Sequence, residues 1–263
     1  MRFLSSLLAL PLAITPLSAQ TAAEHIAAGD SAHAALHPDA ARTHYQAAIA
    51  ADWTNYEALW KAARAIADVA KQIEGDGDAD KRHRDSLYTV GRGYAEAAGR
   101  ARPDGAEGHY VVAMVLGRLS RTKGSKERVR FAKVIHDEAM RAVALDSTHD
   151  GAYHVLGAWH AEVKRLSGLQ RFFAKTLFGG GFMGLARWED AVRYLEKAVA
   201  LNPRNIYHRL ELAEVYADLE QYSKARDQLT DIATLPIGDV MDHRYKEEAV
   251  LFLEEIRTQR DKT

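Results

Sequence analysis

The chain has 263 residues, of which 47% are hydrophobic and 27% are charged, and its formal net charge is −1. This composition excludes a disordered chain, and the near-neutral charge predicts no nucleic-acid partner. The sequence contains no cysteine, which excludes a disulfide framework and leaves any exported domain to be stabilised by packing alone.

The first segment, MRFLSSLLALPLAITPLSAQ, has the layout of a secretory signal peptide. One arginine precedes an apolar run that ends in small residues, and Pro11 and Pro16 interrupt the run. It is too short and too broken for a membrane-spanning helix. We therefore predict a signal peptide over residues 1–19, an exported, periplasmic protein, and one mature domain over residues 20–263. The alternative is an uncleaved amphiphilic N-terminus.

Helix–turn–helix junctions recur along the chain in one register. In each, an alanine-rich helix meets a polar or proline-containing turn, and a second helix with aromatic and aliphatic residues follows at once. In AVALNPRNIYHRLELAEVY, Pro203 has no backbone N–H and biases Asn202 away from the helical region, so a helix ends there. Several junctions in register indicate tetratricopeptide-like repeats, whose usual period is about 34 residues. The junctions lie at residues 41–66, 98–116, 142–160 and 198–216.

Two segments depart from the repeat pattern. The segment LSGLQRFFAKTLFGGGFMGLA, at about residues 166–186, stands where a standard repeat has a turn of a few residues. It predicts a short amphipathic helix that ends at the glycines 179–181. The final segment DHRYKEEAVLFLEEIRTQR alternates apolar and charged residues at helical spacing, as a polar-faced capping helix does. The sequence thus predicts an all-α, tetratricopeptide-repeat-like right-handed helical solenoid with an insertion and a capping C-terminal helix.

Three runs, YEALWKAARAIADVA, HVLGAWH and GLQRFFAKTLFGGGFMGLARWEDAVRYLEKAVALNP, resemble the regulator of microtubule dynamics protein family, also seen as bacterial exported tetratricopeptide-repeat proteins. The resemblance covers residues 22–258 and is most specific at AKTLFGG in the insertion. It implies an all-helical repeat protein with a binding role and without catalytic residues to carry over. It does not imply tubulin binding, because several animal members are membrane-anchored whereas this chain is predicted to be exported.

The inner side of a solenoid is lined by the first helices of successive repeats, where positions four residues apart form one stripe per helix. We predict that these stripes form a groove for a protein or peptide partner, because apolar anchors supply energy and charges supply orientation. For Trp60 and Met114 the alternative is packing between helices. The predicted groove residues are Trp60, Arg64 and Asp68; Tyr110, Met114 and Arg118; His154, Ala158 and Glu162; and Leu210, Glu214 and Asp218.

The sequence contains no constellation typical of catalysis. His33 and His37 are spaced to share a helix face, but no third ligand follows them at metal-site spacing. The glycines 179–181 lack the lysine of a phosphate loop, and no nucleophile elbow is present. We therefore predict a non-enzymatic protein with no metal and no cofactor. The alternative is a metal-dependent hydrolase built across helices from His33, His37, His109 and His154.

Charge is unevenly distributed along the chain. From Arg118 to Lys133 there are seven Lys or Arg against one acidic residue, Glu127, whereas from Glu211 to Glu255 twelve acidic residues stand against four basic ones. Such a pattern suits partners of opposite sign or head-to-tail stacking of two copies. The alternative is an ordinary solvated surface.

The apolar insertion raises a third function, a membrane-surface adaptor. Phe172, Phe173 and Phe178 would contact the lipid surface in that case. We favour instead an insertion that folds back over adjacent helices, because few Lys or Arg surround its apolar face. The primary hypothesis remains an exported scaffold or assembly protein that holds a partner in its groove.

Overall fold

The protein is helical throughout the part that the computed structural model describes, residues 20–168, 170, 172, 174, 176 and 179–262. Those residues contain no β-strand, which confirms the all-α prediction; the predicted signal peptide, Phe173 and Phe178 lie outside them. The helices are α1 (Ala22–Ala34), α2 (Pro38–Ala51), α3 (Tyr56–Lys71), α4 (Asp78–Ala101), α5 (Ala106–Ser120), α6 (Ser125–Leu145), α7 (Asp150–Arg165), a 3-10 helix (Gly180–Leu185), α8 (Trp188–Leu201), α9 (Ile206–Asp218), α10 (Tyr222–Thr234) and α11 (Asp242–Glu255).

The backbone follows the same path at all the predicted junctions. The residue that ends the first helix donates its N–H to a carbonyl four residues earlier, and its own carbonyl accepts an N–H three residues later. At Asn202 these N···O distances are 2.9 and 3.1 Å, and the same pair of bonds recurs at Asp52, Arg102 and Asp146. The first acceptor is always a fully buried alanine, which lets neighbouring helices approach closely. These alanines are Ala48, Ala98, Ala142 and Ala198.

At three of the four junctions the second helix begins at once because the side chain of the residue before it accepts an otherwise unpaired N–H. Asn55 accepts the N–H of Ala58 at 3.0 Å, and Asn205 accepts that of His208 at 3.1 Å. His149 plays the same part for α7, since its Nδ1 accepts the N–H of Ala152 at 3.2 Å. Such caps satisfy donors that would otherwise be left unpaired at a helix start.

Consecutive helices pack as antiparallel hairpins, and each hairpin stacks on the next. The pair α7 and α8 forms although the insertion separates them in sequence. Gly157 allows their close approach, because a Cβ atom at this position would lie 2.5 Å from Leu195 Cγ. The insertion folds back on the solenoid through Ala174 and Met183, which belong to the same buried cluster as helices α3 to α7.

The last helix, α11, packs against α9 and α10, and its Tyr245 and Ala249 belong to the buried cluster that these helices form. Its outer side differs from the predicted polar face, since Val250 and Leu251 are largely exposed there. After α11 the chain turns back, and Lys262 N–H donates to the Glu220 carbonyl at 3.0 Å. Within the described residues, we find no helix with the length and apolar character needed to cross a membrane.

Candidate functional site

The solenoid encloses a cavity of about 750 Å³ on its inner side, which we call the inner cavity. Helices α3, α5 and α7 each contribute the residues predicted at four-residue spacing. The structure therefore brings three of the predicted stripes to one space, with Trp60 excepted. The stripe residues at the wall are Arg64 and Asp68; Tyr110, Met114 and Arg118; and His154, Ala158 and Glu162.

Trp60 and Leu210 do not line the inner cavity. Trp60 packs against the core, and the guanidinium of Arg64 lies 4.9 Å from the centre of its ring. Leu210 is 4% exposed and lies in a core cluster with Tyr245 of α11. Helix α9 reaches the cavity through Tyr207 and His208 instead, while Leu210 is buried in the core beside α11.

Glu214 and Asp218 line a separate outer depression of about 410 Å³ beside Arg165. The Arg165 guanidinium lies 2.8 Å from Glu162, 2.8 Å from Asp218, 3.3 Å from Glu214 and 3.5 Å from Glu211. Partial burial and then the nearby Glu211 raise the pKa of Glu214 to about 7. This network ties α7 to α9 and places two of the predicted groove residues outside the inner cavity.

One end of the inner cavity is cationic. Arg118 lies at its wall with its guanidinium 5.1 Å from the centre of the Tyr207 ring. Arg121 and Arg128 also line it, and neither has an ion-pair partner within the described part of the chain. Both belong to the basic run from Arg118 to Lys133, for which the sequence left partner binding and an ordinary solvated surface as alternatives.

Another part of the wall is apolar and comes mainly from α6, α7 and the insertion. Sequence reasoning missed it, because it took a single stripe from each first helix and left out the neighbouring stripe of α7, the second helices and the insertion. Trp159 is held in this wall by its indole N–H, which donates to the Ala132 carbonyl of α6 at 2.7 Å. The apolar residues at the wall are Val129, Ile135, Val155, Trp159, Val163, Leu166, Ala174 and Met183.

A chain of polar contacts crosses the cavity wall between α7 and α9. Asp150 Oδ2 lies 3.0 Å from His208 Nε2, and His208 Nδ1 lies 3.1 Å from His154 Nδ1. Asn202 adds a donor to the same Asp150 oxygen at 2.8 Å. Burial, followed by repulsion from His208 and Arg118, lowers the pKa of His154 well below its usual value. His154 is therefore a neutral wall residue at neutral pH.

The C-terminal segment closes the inner cavity against the N-terminal repeats. Lys71 Nζ lies 2.8 Å from Asp68 Oδ1 and 3.5 Å from Asp239 Oδ2, in the loop before α11. Burial lowers the pKa of Lys71, but these two carboxylates outweigh that effect and raise it. Tyr207 and Tyr245 stack nearby with ring centroids 4.7 Å apart. The predicted groove is thus bounded on this side by the C-terminal segment.

The histidines of the alternative hydrolase do not form one cluster. His33 lies at the cavity wall, whereas His109 pairs with Glu138 at 2.6 Å. The prediction that His33 and His37 share a helix face is wrong, because α1 ends at Ala34 and His37 immediately precedes α2. Among the residues that the structure describes, no group of three or more His, Asp or Glu is placed to hold a metal ion.

Tandem helical hairpins around an inner cavity define a class of protein, the tetratricopeptide-repeat-like solenoids. A thermophilic tetratricopeptide-repeat protein of Thermus thermophilus has the same fold, with a TM-score of 0.58 and 18% identity over 88% of this chain and 99% of that one. The particular family follows from sequence. The chain belongs to the family described as regulator of microtubule dynamics protein 1-3, which matches residues 25–257.

Curated relatives agree with this family. Regulator of microtubule dynamics protein 3 of Xenopus laevis is 29% identical over 181 residues, which cover 68% of this chain and 38% of that protein. Regulator of microtubule dynamics protein 1 of Bos taurus is 27% identical over 199 residues, which cover 75% and 61%. The match spans less than two thirds of either relative. The resemblance and the helical-repeat fold predicted from the sequence are both confirmed.

Proposed function

We propose that the protein is a non-catalytic binding protein that takes a short segment of a partner polypeptide into the inner cavity, with a scaffolding or assembly role after export. One observation supports this most directly: Arg118, Arg121 and Arg128 line the same cavity as a continuous set of apolar residues. A segment with an acidic group and a bulky apolar side chain matches both parts. The volume of about 750 Å³ lies within the range of roughly 300–1,000 Å³ typical of pockets that enclose a ligand.

The charges at the wall favour a polypeptide over a purely anionic ligand. Asp68, Glu107 and Glu162 offer acceptors, while Arg121 and Arg128 offer donors. A peptide presents both N–H donors and carbonyl acceptors, so both kinds of wall residue find partners. The closed C-terminal side limits the bound length to a few residues, because Lys71 and Asp239 join across it.

Peptide arrays that vary acidic and apolar positions test this function. Arg121→Ala/Arg128→Ala should weaken binding of the best peptide by about a hundredfold, since hydrogen bonds to charged groups contribute roughly 1.5–3 kcal/mol each. Lys81→Ala/Arg82→Ala removes two exposed cations on α4, away from the cavity wall, and should leave affinity unchanged. Equal affinity of both variants would refute binding in the inner cavity.

A second candidate, an anionic amphiphile, is favoured by the continuity of the apolar wall. Val129, Val163, Leu166 and Met183 join α6, α7 and the insertion into one lining that an acyl chain could follow. The cationic end would then hold the acidic head group. Native mass spectrometry of the purified protein separates the two candidates, because a bound amphiphile adds a discrete mass to the protein. Loss of that mass when the best peptide is added would show that peptide and amphiphile compete for the inner cavity, and its persistence would show that they do not.

A further inference from the structure

The insertion has an outer side that the solenoid does not cover. Phe172 is 60% exposed and Leu185 is 55% exposed, whereas Ala174 and Met183 are buried. Phe172 and Ala174 are two positions apart in a helical stretch, so they point about 200° apart around the axis. The same segment therefore packs on the solenoid with one side and presents apolar groups to solvent with the other.

Helix α6 places a row of cations beside this insertion. Lys126, Arg130 and Lys133 are spaced four and three residues apart, so they share one exposed face of α6, which we call the basic stripe. Lys133 is paired with Asp137, but Lys126 and Arg130 have no ion pair within the residues the structure describes.

The contact between α6 and the insertion is direct. Val129 of α6 lies in the same buried cluster as Ala174 and Met183. Trp159 bridges the two elements as well, since it bonds the Ala132 carbonyl and lies 6.2 Å, centroid to centroid, from Phe182. The basic stripe thus stands on a helix that is distant in sequence but packs directly against the apolar insertion. The expectation that few Lys or Arg surround the apolar face of the insertion took no account of this helix.

We propose that the basic stripe and the exposed side of the insertion, Phe172 and Leu185, together form a docking surface for an anionic lipid membrane. Apolar groups that enter the interface beside cations that attract acidic head groups are the two components of peripheral membrane binding. A protein partner fits less well, because lysine is depleted at the centre of protein interfaces. Arg128 of α6 and Leu166 at the start of the insertion also line the inner cavity, so the proposed surface adjoins it.

Flotation of the full chain with vesicles tests the surface. Vesicles of phosphatidylcholine with phosphatidylglycerol should retain the wild type, and vesicles of phosphatidylcholine alone should retain far less. Lys126→Ala/Arg130→Ala should weaken partition to the anionic vesicles about thirtyfold, from roughly 1 kcal/mol per cation near the surface. Phe172→Ser/Leu185→Ser should reduce partition to both kinds of vesicle. Raising the salt concentration should release the wild type.

Matched variants distinguish binding through this surface from non-specific adsorption to vesicles. Val250→Ser/Leu251→Ser removes two other exposed aliphatic residues, on α11, and Lys81→Ala/Arg82→Ala removes two other exposed cations. Both should float as the wild type does, and circular dichroism confirms that each variant is folded. Equal flotation of all variants, or a loss as large in the matched pairs, would overturn the proposal. Because residues 1–19 are common to every variant, they cannot produce a difference between them.

Discussion

Replacing Lys71 with methionine should destabilise the protein, because Lys71 is the cation that neutralises a buried carboxylate. The side chain of Asp68 is only 7% exposed, and Lys71 is its ion-pair partner at 2.8 Å. Removing one member of a buried pair costs about 3–5 kcal/mol. Asp239, the second partner, is 43% exposed and can regain water, so we expect the lower value, about 3 kcal/mol. For a domain of this size that lowers Tm by about 6–12 °C.

Thermal unfolding followed by circular dichroism at neutral pH measures the effect. Lys133→Met is the matched control, since it breaks an i,i+4 ion pair whose side chains are both more than half exposed. Its expected cost is below about 0.5 kcal/mol. Lys71→Met/Asp68→Asn removes both charges and should recover part of the loss. If Lys71→Met unfolds at the same temperature as Lys133→Met, the ion pair does not hold the α3 side of the cavity as argued.

Two further predictions concern packing and pH. Gly157→Ala should destabilise the protein by about 1–2 kcal/mol, because the new Cβ would lie 2.5 Å from Leu195 Cγ. Gly93→Ala, which lies in open space within α4, should instead stabilise the protein by about 0.5–1 kcal/mol. Urea unfolding that ranks the two variants in the opposite order would contradict the packing of α7 on α8. Glu214→Gln should raise Tm most above pH 7, and its advantage should shrink as pH falls towards 4.5. The sign follows because the raised pKa means that the folded protein favours the protonated carboxyl of Glu214, so ionisation of Glu214 opposes folding. A Tm advantage of Glu214→Gln that grows as the pH falls would contradict the raised pKa.

The repeat architecture was predictable because its signals are local. Pro203 and the asparagine caps end and begin helices through bonds that span three or four residues, so the sequence alone displays them. Tyr110, Met114 and Arg118 were predicted to face inwards by helical periodicity, and they do line the inner cavity.

The errors at the site arose where a distant segment covers a repeat. Leu210 has the same position in its helix as Tyr110, but α11 lies over it. Glu214 and Asp218 pair with Arg165 of α7 and do not line the inner cavity. No local pattern reveals such a cover, because it depends on how far the solenoid curves before the chain ends.

By itself, the sequence determined the helical hairpins, their register and the family, because turn chemistry and small-residue spacing act over a few residues. The tertiary structure alone decided that Asp239 meets Lys71 and bounds the groove on its C-terminal side. It also decided that the cations of α6 flank the insertion. Both outcomes depend on the rotation of each hairpin relative to the next. Side-chain packing sets this rotation at every step, and the rotations add up along the chain.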